Sequence, residues 1–121
     1  MRIRREQGQS LVELALVMPM LVLLIAGIAD LSGAFGTLVS VVNSSREGAR
    51  YGARYPFDTA GMRAAALAET TLTGCTVTSI VVSTSVRVTV RCPYSPILGQ
   101  ISGVQDPIWL QNTTEMRREG L

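Results

Sequence analysis

The chain has 121 residues, with 11 basic and 9 acidic side chains, no histidine, two cysteines and an apolar share of 47%. A formal charge of +2 lacks the positive footprint that neutralising nucleic-acid phosphates demands, and the lack of histidine removes the commonest general base and metal ligand together. Nucleic acid, small-molecule substrates, metals and cofactors are therefore not expected as partners. No enzyme is expected either, since there is no nucleophile beside a base, no informatively spaced carboxylate pair and no phosphate loop.

In chain order, Arg2, Arg4 and Arg5 precede Gly8, and the apolar stretch GQSLVELALVMPMLVLLIAGIA follows to Ala29. No charge falls between Leu14 and Ala29, and with Leu11 and Val12 the block approaches the ~20 residues a helix needs to cross ~30 Å of hydrocarbon. One membrane span is predicted. Its exception is Glu13, whose carboxylate costs on the order of 3 kcal/mol at a bilayer centre and less near the edge. Pro19 cannot donate to the Ala15 carbonyl, which predicts a kink. Gly27, Gly33 and Gly36, with Ala26, Ala29 and Ala34, permit close helix approach.

A short basic leader, a glycine and a glutamate five residues beyond it resemble the processing site of type IV prepilins, where a membrane-embedded prepilin peptidase cuts after the glycine. The resemblance implies a leader over residues 1–8, Gln9 as the first mature residue and Glu13 as the fifth. Loss of Arg2, Arg4, Arg5 and Glu6 would leave eight charges of each sign. Two other readings stay open. A signal peptidase cut near Ala29, after the weak small-x-Ala site Gly27-Ile28-Ala29, would release a secreted binding domain beginning at Asp30. An uncleaved span would make the protein a permanently anchored scaffold. Against the signal peptide, Glu13 interrupts the apolar core and the helical pattern runs on past Ala29.

Beyond Asp30, Leu31, Phe35, Leu38 and Val42 recur at helical spacing, and the helix is expected to continue to Arg54, with Pro56 as its stop. From Leu11 it would be about 65 Å long, half in lipid and half projecting. Arg46, Arg50 and Arg54 are spaced by four and line one face, with Glu47 placed to pair with Arg50.

The strings VELALVMPMLVLLIAGIADLSGAF and NSSREGARYGARYP together resemble TadE-like proteins, the pilin-like components of tight-adherence (Flp, type IVc) pilus systems. The family pattern falls on Val12, Glu13, Leu14 and Ala15, on Pro19, on Gly27 and on Arg46 to Ala53, roughly the first half of the chain. Leu14 stands where an aromatic is common and Gly52 where alanine is usual. The first departure speaks against a major Flp pilin, as does the extra domain. The resemblance implies a minor pilin or pseudopilin in the cytoplasmic membrane, whose partners are the bilayer, pilin and other Tad assembly proteins and the prepilin peptidase. It also implies that Glu13 neutralises the N-terminal amine of a neighbouring subunit.

Residues 56–121 are expected to form a small domain outside the membrane. Asp58 or Thr59 caps a second helix running to about Leu72. The period then drops to two over Thr76–Ser83 and Ser85–Cys92, with Val86, Val88, Val90 and Cys92 on one face. A hairpin turning at Ser83-Thr84 sets Cys75 opposite Cys92, within disulfide reach, which would place the domain in an oxidising compartment. A change of phase near Ser79 calls for a bulge. Ile97 to Ile101 suggest a helical turn and Ile108 to Asn112 a third strand, while the charged tail from Glu115 is expected to fray. The arginine flanks are not decisive for orientation; the nearest flank and the cysteines together place the N-terminus inside. The expected class is α+β: a long N-terminal transmembrane helix over residues 9–55, extending into a domain with one helix and an antiparallel three-stranded sheet.

Overall fold

The computed structural model describes residues 3–120, with side chains from Gly8 onward. Met1 and Arg2 of the expected leader, the side chains of Arg4, Arg5 and Glu6, and Leu121 lie outside the described residues. The fold is α+β. Helix α1, Ile3–Arg54, is one uninterrupted element of 52 residues that runs through Pro19, about 78 Å at the α-helical rise. Its last amide, that of Tyr55, donates to the Tyr51 carbonyl at 3.0 Å before Pro56 stops the pattern.

Helix α2, Thr59–Ala68, starts at Asp58, whose carboxylate accepts from the Gly61 amide at 2.8 Å. The strands β1 (Thr76–Val81), β2 (Ser85–Tyr94) and β3 (Ile108–Arg117) form an antiparallel sheet in the order β1-β2-β3. A short helix, α3 (Ile97–Ser102), fills the connection between β2 and β3. The first hairpin pairs Val81 with Val86 and Thr76 with Arg91, the register expected from a turn at Ser83-Thr84. One step further out, Cys75 and Cys92 form a disulfide with a Cα separation of 4.2 Å. Closing a loop of this size stabilises by about 3 kcal/mol in the chain-entropy account.

Two expectations for the domain are corrected. There is no bulge at Ser79: pairing is continuous through Ser79↔Val88 and Ile80↔Arg87. Val77, Ser79 and Val81 take the half-buried positions of β1, and Ile80 points outward, 54% exposed. Only one face of the sheet is covered, so an outward isoleucine costs less than a broken ladder. Nor does the tail fray. β3 continues to Arg117, the Arg118 amide donates to the Thr84 carbonyl at 3.0 Å, and the Glu119 amide donates to the Ala53 carbonyl at 2.8 Å. That last bond satisfies one of the carbonyls a helix end leaves without an intrahelical partner.

The core lies where the inner face of β2 meets both helices. Val86, Val88, Val90 and Cys92 are fully buried against Val41 and Ala49 of α1 and Met62 and Ala66 of α2. β2 descends along α1: Val86 lies against Gly52, Val88 against Gly48 and Tyr94 against Gly33. The helix covers about 28 Å between these glycines while the strand covers about 26 Å, so the two run nearly parallel in space. This closeness depends on missing side chains. A Cβ at Gly48 would meet Ala66 Cβ and Val88 Cγ1 at 3.0 Å, and one at Gly52 would meet Met62 Sδ and Val86 Cγ1 at 2.8 Å.

Candidate functional site

Two stretches of α1 carry the residues singled out above, and the structure treats them differently. From Gly8 to Ala29 the helix is long and apolar enough to cross a membrane, and its most apolar window has none of its residues buried by the rest of the chain. Leu16 and Met20 are more than 70% exposed. Gly8 and Gln9 lie on this bare helix, and nothing approaches a Cβ at Gly8 within 4 Å. Glu13 is exposed one turn further on, where it accepts from Gln9 Nε2 at 3.3 Å. That amide is its one polar partner among the described residues. A carboxylate set in an apolar helix surface calls for a cation once water is withdrawn.

The second stretch is the arginine motif. Arg46, Arg50 and Arg54 all point to solvent, whereas Gly48, Ala49, Gly52 and Ala53 are buried against the domain. The string is therefore amphipathic, with small residues inward and charge outward. Glu47 pairs with Arg50 at 3.9 Å and Arg54 with Glu119 at 3.6 Å, both exposed and each worth about 0–1 kcal/mol. Arg46, Arg50 and Arg117 line an open groove that also holds Glu47 and Glu119. Gly52, which stands where alanine is usual in TadE-like sequences, is explained by its contacts, because Met62 and Val86 occupy the space a methyl group would need.

The stripe Leu31, Phe35, Leu38 and Val42 does not hold the domain. Leu31 and Phe35 are 63% and 61% exposed. The domain instead sits on an adjacent face bearing Thr37, Val41, Ser44, Ser45 and Ala49. Polar contacts join that face to the sheet and to α2. Ser45 Oγ donates to the Val42 carbonyl at 2.9 Å and lies 2.8 Å from both Thr114 Oγ1 and Asn112 Nδ2, and Ser40 meets Thr70 at 2.8 Å. The buried hydroxyl of Ser44 has no partner among the described residues.

Asp30 enters the sequence reading only as a cleavage boundary, not as a contact residue. Its carboxylate accepts from the amides of Ile97 at 2.6 Å and Leu98 at 2.9 Å, and its carbonyl accepts from the Tyr94 hydroxyl at 2.9 Å. Because the N-cap of α3 is Pro96, which offers no side-chain cap, Asp30 caps it from another helix. The available signal was position alone: Asp30 is the first charge after the apolar run. At the opposite end, Tyr51 donates to Asp58 at 2.7 Å. The Gly61 amide and then the Tyr51 hydroxyl hold the Asp58 carboxyl below its ordinary pKa, and the same contact with Asp58 pushes the Tyr51 phenol up. On the outer sheet face Ser85, then Arg87 at 2.9 Å, hold the Glu115 carboxyl below its ordinary value.

Among the described residues no three metal-ligating side chains cluster, and the two cysteines are joined to each other. What the arrangement offers is surface. It is a small disulfide-closed α+β domain folded onto the far half of one helix, whose near half is apolar, bare and long enough to span a membrane.

Residues 8–50 match the family model described as TadE-like protein. This segment is similar to TadE-like proteins, in agreement with the resemblance carried by the VELA and REGAR strings. The match starts at the glycine of the expected processing site and ends within the arginine row, so the second helix and the sheet lie outside it. No curated protein and no solved structure matches the chain.

Proposed function

We propose that this protein is a membrane-anchored minor pilin or pseudopilin that assists assembly of a Tad pilus and is matured by a prepilin peptidase cutting after Gly8. It does so as a structural subunit, without catalysis. The observation that carries the reading is the bare apolar half of α1 with Glu13 as its one acidic group, within a segment that is TadE-like. In this reading the helix waits in the cytoplasmic membrane with its N-terminus inside and the domain outside, and later packs against pilin helices. Cleavage would expose a cationic amine at Gln9, and Glu13 would neutralise the amine of a neighbouring subunit in an apolar surrounding where each charge needs the other. The Gly8–Gln9 bond lies inside α1, so the peptidase would have to unwind the helix there, and glycine gives least resistance to that.

A released domain starting at Asp30 is the weaker reading. α1 passes through Ala29 unbroken, and Asp30 holds α3 from mid-helix. The deciding experiment is mass spectrometry of the mature N-terminus, on membranes from cells that express the chain with its native peptidase. Gln9 is expected. Asp30 would replace the pilin reading with a secreted domain, and an intact leader would replace it with a permanent anchor.

A further inference from the structure

We propose that the base of the domain, α3 and the loop leading to β3, docks on the bilayer interface beside the span. This rests on the membrane-anchor reading above and adds a lipid-binding surface to it. Asp30 is the first charge beyond the apolar run, so in an anchored chain it marks the edge of the hydrocarbon. The amides of Ile97 and Leu98 sit 2.6 and 2.9 Å from its carboxylate, which ties the start of α3 to that level. α3 itself is about 9 Å long, and the chain re-enters the sheet at Ile108, paired with Tyr94, whose hydroxyl is also bonded to Asp30. The segment is thus tied at both ends to the level of the hydrocarbon edge, where interfacial apolar faces bury to about 5–10 Å.

The side chains at this base suit that depth. Of nine large apolar side chains exposed beyond Arg54 among the described residues, five belong here: Ile97, Ile101, Val104, Ile108 and Trp109, with Ile101 74% exposed. Between Tyr94 and Trp109 the only charge is Asp106. An apolar surface of this kind, lacking the charged composition of a solvated loop, marks an interaction site. It meets the span itself at Asp30, and that continuity selects lipid as the occupant. Arg91 lies 4.5 Å over the Trp109 ring, a cation and an aromatic side by side, as expected at the headgroup layer.

The test uses the full chain, disulfide intact, reconstituted into phosphatidylcholine–phosphatidylglycerol vesicles whose acyl chains are brominated near the glycerol. Trp109 is the only tryptophan, so its emission reads the base directly. Where Arg91 shields the ring, I101W in a W109F background moves the reporter onto α3. The expected result is a blue shift and a loss of emission in brominated vesicles, both reversed by I101D/V104D when read at Trp109, and by V104D in the I101W/W109F chain, while the variant still floats with the vesicles. Unquenched emission from both reporters in chains that float would overturn docking and leave the anchor standing. So would quenching that survives I101D/V104D, or quenching confined to high protein-to-lipid ratios, which would assign the base to contacts between copies. A chain that fails to float overturns the anchor reading and docking with it.

Discussion

Between Leu11 and Ala29, α1 carries leucine, valine, isoleucine and methionine around most of its circumference and is covered by no other element. Between Thr37 and Ala53 the same helix turns threonine, serine, glycine and alanine toward a sheet that runs alongside it. Large flexible side chains suit a partner that is deformable or yet to arrive, such as lipid or another helix. Small ones suit a partner already built, because β2 approaches so closely that added atoms have nowhere to go. One continuous helix thus presents two kinds of surface, and the boundary falls near Asp30, where the first charge after the apolar run is used to fasten α3.

The sharpest way to break this comparison is to put the same side chain into both halves. Gly48→Leu forces a branched group into Ala66, Val88 and the Met62 carbonyl. It should cost about 3 kcal/mol, at the upper end for overpacking, read as a lowered thermal midpoint of the detergent-solubilised chain. Gly27→Leu, with nothing within 4 Å of its Cβ, should leave that midpoint unchanged or raise it slightly through helix propensity. Equal effects at the two sites would erase the distinction between sheathed and bare helix.

A smaller effect is expected at the junction. Asp30→Ala removes two amide-to-carboxylate bonds, and because this carboxylate is open to solvent its loss should lower the thermal midpoint less than Gly48→Leu does. The loss should be local, read as faster hydrogen exchange at Ile97 and Leu98 with the amides of β2 still protected. Tyr94→Phe deletes the hydroxyl's bonds to the Asp30 carbonyl and carboxylate but leaves both amide-to-carboxylate bonds, so exchange at Ile97 and Leu98 should rise less than in Asp30→Ala. Global unfolding by Asp30→Ala would mean that the junction supports the whole domain.

The smallest effect is that of pH on the domain's own carboxylates. Asp58 and Glu115 both have carboxyls held below their ordinary values. Their contribution is complete above those ordinary values and is lost as pH falls through the lower folded ones, that is, below about pH 4. A midpoint that declines in that window, and declines less in D58N, is expected. A flat profile down to the acid limit would show that these contacts are too solvent-screened to matter.

Much of this was legible because it rests on local rules. The apolar run, the Asp58 cap, the hairpin register and the inward row Val86, Val88, Val90 and Cys92 each depend on residues close in sequence. The misread elements depend on distant partners. Ser79 faces inward and Ile80 outward because β1 is ladder-bound at the edge of a sheet with one open face. The tail stays ordered because β2 and the end of α1 receive it.

The same division runs through the whole protein. Helical periodicity, the long uncharged apolar run and the position of Glu13 relative to Gly8 are properties of the chain by itself, since hydropathy and backbone geometry act over a few residues. Which face of α1 carries the domain was decided only in three dimensions. The leucine and phenylalanine stripe has the stronger hydrophobic signal, yet the face with Gly48, Ala49 and Gly52 won. A β-strand lying along a helix gains more from close approach over its length than from a few bulky contacts that would hold it away.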